Sequence, residues 1–198
     1  CSDRHILGPR TADAAWLLQN HGMSGLAPTV RPTRLEEAAL LPAIERSAGP
    51  AFLAIPELAW VATDDTLPAE AHRHFVESGG SWVAELDGDV VGFACAEPYE
   101  HDLHIWEVAV AHEAQGQGAG TGLIEGLVAH ARRRRLRRVT LTTFRDVPWN
   151  EGFYRRRGFR VLERGELDPR LSHVLDLEAR QGLPLEHRCA MALSLMAS

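Results

Sequence analysis

Lysine is missing from all 198 residues, and the 21 basic side chains are arginine throughout. That absence removes several chemistries at once. Schiff-base and pyridoxal-phosphate enzymes need a lysine amine at the reacting point, and P-loop nucleotidases need one against the phosphates. Cysteine is scarce as well. Cys1, Cys95 and Cys189 are far apart, odd in number and without Cys-x-x-Cys spacing, so neither a disulfide framework nor a zinc site is indicated, and a reducing cytoplasm is the expected location. There is no apolar run near the roughly 20 residues that cross a bilayer, so no membrane partner is expected. Internal repeats are absent too. The formal charge of −6 offers nothing to a nucleic-acid backbone and mildly favours cationic small molecules.

The composition, 45% hydrophobic and 24% charged, is that of an ordinary globular chain, long enough for one compact core with a short appendage. Residues 1–25 show little periodicity and lack both the basic start and the apolar core of a signal peptide, so they read as an N-terminal extension, with the domain running from 26 to 198. A short strand at Thr29 to Pro32 should open the domain, followed by a helix carrying Ala38, Leu41 and Ile44 on one face. Between Pro50 and Pro68 the apolar residues are irregular, which suggests short helices and loops that cover something and touch substrate.

From Ser81 the period changes. Trp82 to Leu86 and Val90 to Ala96 flank Asp87-Gly88-Asp89, a hairpin signal, and a third strand follows at Leu103 to Ala111. Leu123, Ile124, Leu127, Val128 and Ala131 then share a helical face, leading to a strand at Val139 to Phe144, so strand, glycine turn, helix and strand form a crossover unit. A short helix from Trp149, a strand from Phe159 to Glu163, a helix from Pro169 to about Gln181 and a strand from Arg188 to Leu195 complete a mixed α/β (α+β) chain.

The chemistry concentrates where the third strand meets the helix. Val108-Ala109-Val110 runs into Gln115-Gly116-Gln117-Gly118-Ala119-Gly120-Thr121. Glycines just before a helix let main-chain N–H groups approach a ligand closely, and the helix start adds about half a positive charge, so this turn suits a phosphate. It has neither the Gly-x-Gly-x-x-Gly register nor a Walker lysine. Further on stands Asn150-Glu151-Gly152-Phe153-Tyr154, then Gly158-Phe159.

Gln-x-x-Gly-x-Gly at Gln115, Gly118 and Gly120, with the later Asn, Phe-Tyr and Gly-Phe, resembles the GCN5-related N-acetyltransferase superfamily over about residues 28–196. The resemblance implies a twisted, mostly antiparallel mixed sheet of about six or seven strands whose parallel pair splays open, with helices on both faces. It implies acetyl-CoA as cosubstrate: the amides of Gln115 to Thr121 on its diphosphate, the Val108, Ala109 and Val110 backbone along its pantetheine arm, and Asn150 and Phe153 beside it. Asn150 stands four residues before Tyr154, where many members place their Asn seven before.

In such an enzyme an amine attacks the thioester directly, so the amine must lose a proton and the departing thiolate must gain one. A phenol can supply the second, which makes Tyr154 the expected general acid. For the base, Glu107 beside the expected thioester site competes with His104, since some relatives carry a carboxylate at the position aligned with His104; water is the third option. A strand N–H near Val108 should polarise the carbonyl. A small-molecule amine is the expected acceptor, with Glu57, Asp64 and Asp65 hinting at a cationic one. A protein N-terminus stays open, as does a non-catalytic acetyl-CoA-binding role. Homodimers are common among relatives. The arginines from 132 to 138 read as a solvated helix end and no nucleic-acid partner is expected, while His101, Asp102 and His104 lack the spacing of a metal site.

Overall fold

The computed structural model describes residues 27–63, 65–183 and 185–196. The expected extension at 1–25 lies outside them. Seven strands form one sheet: β1 (Thr29–Pro32), β2 (Ser81–Leu86), β3 (Asp89–Tyr99), β4 (Asp102–Val110), β5 (Arg138–Phe144), β6 (Arg160–Val161) and β7 (Arg188–Ser194), in the spatial order β1-β2-β3-β4-β5-β7-β6. Among the described residues only β4 and β5 pair in parallel. The helices are α1 (Leu41–Ala48), α2 (Ala69–Glu77), α3 (Ala119–Arg133), α4 (Glu151–Arg155) and α5 (Pro169–Arg180). None of the helices among the described residues is long and apolar enough to cross a membrane.

Alternation along the strands assigns the two faces. Trp82, Ala84, Ala94, Leu103 and Ile105 pack with Leu123, Ile124 and Leu127 of α3 and with Tyr154 of α4. The intervening residues Val83, Phe93, Cys95 and Ala109 meet Leu41 and Ile44 of α1. Ala190 and Ala192 of β7 meet Leu171 of α5 on that second face. The β2–β3 hairpin turns at Asp87 (φ 52°) and Gly88 (φ 92°), both left-handed, the type I′ geometry that suits the strand twist.

Three elements depart from the expected pattern. The helix expected to carry Ala38, Leu41 and Ile44 is split, Ala38 lying in a 3-10 turn at Leu35–Ala39 and α1 starting only at Leu41. Helix α2 gave no apolar period because the side chain it buries completely is His72, which sits edge-on to Phe93. The strand expected from Phe159 to Glu163 shrinks to Arg160–Val161, since Glu163 leaves the sheet to cap the 3-10 turn at Arg164–Glu166. The irregular stretch forms 3-10 turns at Gly49–Ala54 and Pro56–Thr63. Phe52, Leu58 and Val61 of these turns, with Ile55 between them, cover Phe144 at the end of β5 and Val147 just beyond it. The arginines 132–135 are exposed at the end of α3, while Arg138 returns to the sheet and pairs with Asp102 and Asp168.

Candidate active site

The parallel pairing of β4 with β5 runs from Asp102↔Arg138 to Ile105↔Leu141 and stops. Both strands go on, β4 to Val110 and β5 to Phe144, each held by its outer neighbour. The cause of the separation is visible in the register. Cys95 faces Glu107 and Ala96 faces Ile105, so Trp106 is an extra residue on β4, and a bulge bends its strand and increases the twist. Past the bulge the inward edge of β4 has main-chain groups with no ladder partner, along Val108, Ala109 and Val110. An extended ligand carrying amides fits that edge as an added strand would.

The glycine turn closes one end of this opening. Gly116 (φ 78°) and Gly118 (φ 93°) hold left-handed conformations, and Gly118 is the N-cap of α3. The Gly118 position supplies no side-chain cap, so the first amides of α3 have no intrahelical acceptor. Both glutamines fold back: Gln115 Nε2 donates to the Val110 carbonyl (3.2 Å) and Gln117 Nε2 to the Glu113 carbonyl (3.1 Å). What the turn itself presents is therefore main-chain amides rather than its glutamine side chains. Ala119 is buried in the core, and a Cβ on Gly120 would stand 3.4 Å from the Phe153 ring and 3.6 Å from a Val110 methyl, filling the space between β4, α3 and α4. Exposed amides, a helix start and a gap kept open by glycine fit an elongated anion with a diphosphate.

Asn150 is the N-cap of α4, and its Oδ1 accepts from the Thr143 hydroxyl on β5 (2.9 Å). That bond ties α4 to the open end of β5. The position seven before Tyr154 is Val147, buried against Leu58 and Phe144. Tyr154 itself is buried between Phe153 and Phe159, ring centroids 5.2 and 5.7 Å away. Burial, then the Glu107 charge, hold its phenol well above the ordinary tyrosine range, so it stays protonated. Among the described residues its hydroxyl has no hydrogen-bond partner.

Glu107 lies on the other face of β4, half-buried, and burial with the nearby Glu45 charge pushes its carboxyl up to about 8. Arg188 and a hydrogen bond from the Val108 main chain offset part of that rise. The N–H expected to polarise a carbonyl thus faces the Glu107 carboxyl. The Glu107 charge reaches Tyr154 from the opposite face. His104 is placed differently. It belongs to the paired part of β4, is fully buried, bonds Thr140 Oγ1 through Nδ1 (3.0 Å) and stands edge-on to Trp106. Burial, then Arg170, push its imidazole down to about 3, so it is neutral.

The structure also gathers residues that sequence reasoning passed over. Glu45 of α1 and Glu97 of β3 act with Glu107 on the buried Cys95, whose thiol is pushed up to about 12, chiefly by burial. Glu97 accepts from Trp106 Nε1 (2.9 Å) and the Tyr99 hydroxyl (3.1 Å), giving the second face an acidic patch walled by two aromatic rings. Arg188, clamped by both Glu178 oxygens (2.8 and 3.0 Å), lies over the Phe144 ring. Glu57 and Asp65 are exposed, and Asp64 lies outside the described residues. Nothing in the sequence marked Glu45 or Glu97, because each joins the patch from a separate element.

Comparison with known proteins agrees with this geometry. The model of the acetyltransferase (GNAT) family matches residues 47–159. A probable N-acetyltransferase, camello, of Xenopus tropicalis is 32% identical over 112 residues, 55% of this chain and 51% of that protein. The 5-NmdU N-acetyltransferase of Pseudomonas phage PaMx11 is 37% identical over 81 residues, 40% of this chain and 56% of that protein. The chain thus spans about half the length of these two curated relatives. Among solved structures, Rv2747 of Mycobacterium tuberculosis, in complex with CoA, superposes with a TM-score of 0.64 at 23% identity, over 85% of this chain and 100% of that one. With a family match across more than half its length, and the splayed parallel pair and glycine turn in place, the chain belongs to the GNAT acetyltransferase family.

Proposed function

We propose that the protein is an N-acetyltransferase that moves the acetyl group of acetyl-CoA onto a primary amine, a small cationic amine being the favoured acceptor. One observation carries the reading: Tyr154 and Glu107 flank the splay from opposite faces, one firmly protonated and the other poised near 8. Acetyl-CoA, when bound, supplies a thioester that an amine attacks directly, releasing a thiol. The main-chain amides from Gly116 to Thr121 would hold its diphosphate, and the edge of β4 that lacks a strand partner its amide-bearing arm.

The remaining work belongs to side chains. Glu107, once ionised, takes the proton that the acceptor nitrogen gives up, and Tyr154 donates the phenolic proton to the leaving sulfur. Neutral, buried His104 packs beneath Trp106 and has no share in the transfer. On the acceptor side Glu45 and Glu97 attract a cation, joined by Glu107 once it is ionised, and the exposed Trp106 ring suits an ammonium group against its face, the Tyr99 ring already carrying the Arg170 guanidinium.

The experiment is thiol release from acetyl-CoA with a panel of amines, read against pH. Cationic amines should be turned over fastest. Because Glu107 acts as the carboxylate, kcat/KM should climb as pH rises through about 8. Glu107→Gln should remove that limb and leave a low, flatter profile. A panel in which no amine provokes thiol release would sink the enzymatic reading.

A further inference from the structure

Arg157 follows α4 in a run of three arginines, and its surroundings set it apart. The guanidinium carbon lies 3.5 Å over the centroid of the Phe153 ring, the same ring that closes on Gly120. Nη1 donates to the Phe153 carbonyl (2.7 Å), and Nη2 to the hydroxyl oxygen of Thr121, in the first turn of α3. Its Nε is buried without an acceptor. Arg31, Arg138, Arg170 and Arg188, also half-buried, each reach a carboxylate. Arg157 forms no ion pair among the described residues.

The electrostatic setting sharpens the contrast. Arg157 is partly desolvated, beside Arg156 and at the positive end of α3, and Glu125 offers only longer-range compensation. A cation partly withdrawn from water next to a like charge and a helix start calls for an anion from outside the chain. Thr121 points the same way. Because its oxygen accepts from Arg157, its own hydroxyl proton is turned elsewhere and available to an acceptor.

We propose that Arg157 is the counter-charge for a phosphate of coenzyme A at the start of α3, and that it makes the site select the nucleotide-bearing thioester over a bare pantetheine thioester. The inference rests on the acetyl-CoA reading and adds a residue outside the glycine turn. Guanidinium suits the task because its planar fork can bind Thr121 and a phosphate oxygen together. Phe153 fixes the plane of that fork.

The test is calorimetric titration of CoA and of pantetheine into the wild type and Arg157→Gln, a substitution that keeps hydrogen-bonding capacity and removes charge. CoA affinity should fall about ten- to a hundred-fold in Arg157→Gln, and pantetheine affinity should be unchanged. The salt dependence of CoA binding should be shallower in the variant. Without ligand the variant should melt close to the wild type, because the lost Phe153 and Thr121 contacts are offset by removing a partly desolvated charge beside Arg156. Equal weakening toward both ligands, or CoA affinity that survives the substitution, overturns the inference alone. A wild type that binds no CoA overturns the acetyl-CoA reading and the inference with it.

Discussion

The two sides of the opening between β4 and β5 are built from different materials. On the α3–α4 side the principal surface is main chain: amides at a helix start, two left-handed glycines, and a gap at Gly120. On the α1–α2 side it is side chain: Glu45, Glu97 and Glu107 around Cys95, with Trp106 and Tyr99 as walls. A main-chain surface recognises a ligand common to a whole family and tolerates little change in backbone. A side-chain surface can be rewritten residue by residue, which is why the acceptor is proposed to lie there.

The largest effect should come from the phenol that α4 adds to the main-chain side. Tyr154→Phe keeps the buried ring and removes the proton donor, so kcat should fall about 10²- to 10⁴-fold in thiol-release kinetics while calorimetric CoA affinity holds. Retention of full turnover would take the phenol out of the mechanism. Gly118→Ala tests the main-chain side. A Cβ at φ 93° costs about 1–2 kcal/mol of backbone strain, so CoA should bind about tenfold more weakly, with the pH profile unmoved. A displaced pH limb in that variant would mean that the two sides are not separable.

Glu45→Gln should have the smallest effect and should fall on the side-chain surface alone. Removing a negative charge near Glu107 makes its carboxylate easier to form, so the alkaline rise in kcat/KM should move to lower pH. CoA affinity should not change. An unmoved limb would show that Glu107 is not the group that titrates.

The same contrast explains which parts were legible. The hairpin at Asp87-Gly88, the crossover through α3 and the glycine turn all follow local rules, where dihedral freedom or apolar period is written in neighbouring residues. Helix α2 was not legible because its buried side chain is a histidine. The short β6 was overestimated because Glu163 found a cap nearby. Of the two base candidates, both on β4, the sequence showed only proximity. Burial, bonding to Thr140 and the end of parallel pairing separate His104 from Glu107, and those are properties of neighbouring elements.

By itself, then, the sequence determined the strand and helix periods, the left-handed turns and the glycine turn before α3, since these arise from contacts and torsions a few residues apart. The tertiary structure alone decided that Trp106 is the extra residue that parts β4 from β5, that carboxylates from α1 and β3 converge near Glu107, and that Arg157 faces the start of α3 without a carboxylate. Those outcomes depend on register between strands and on charges brought together from distant positions, and Coulomb interactions and desolvation follow distance in space rather than along the chain.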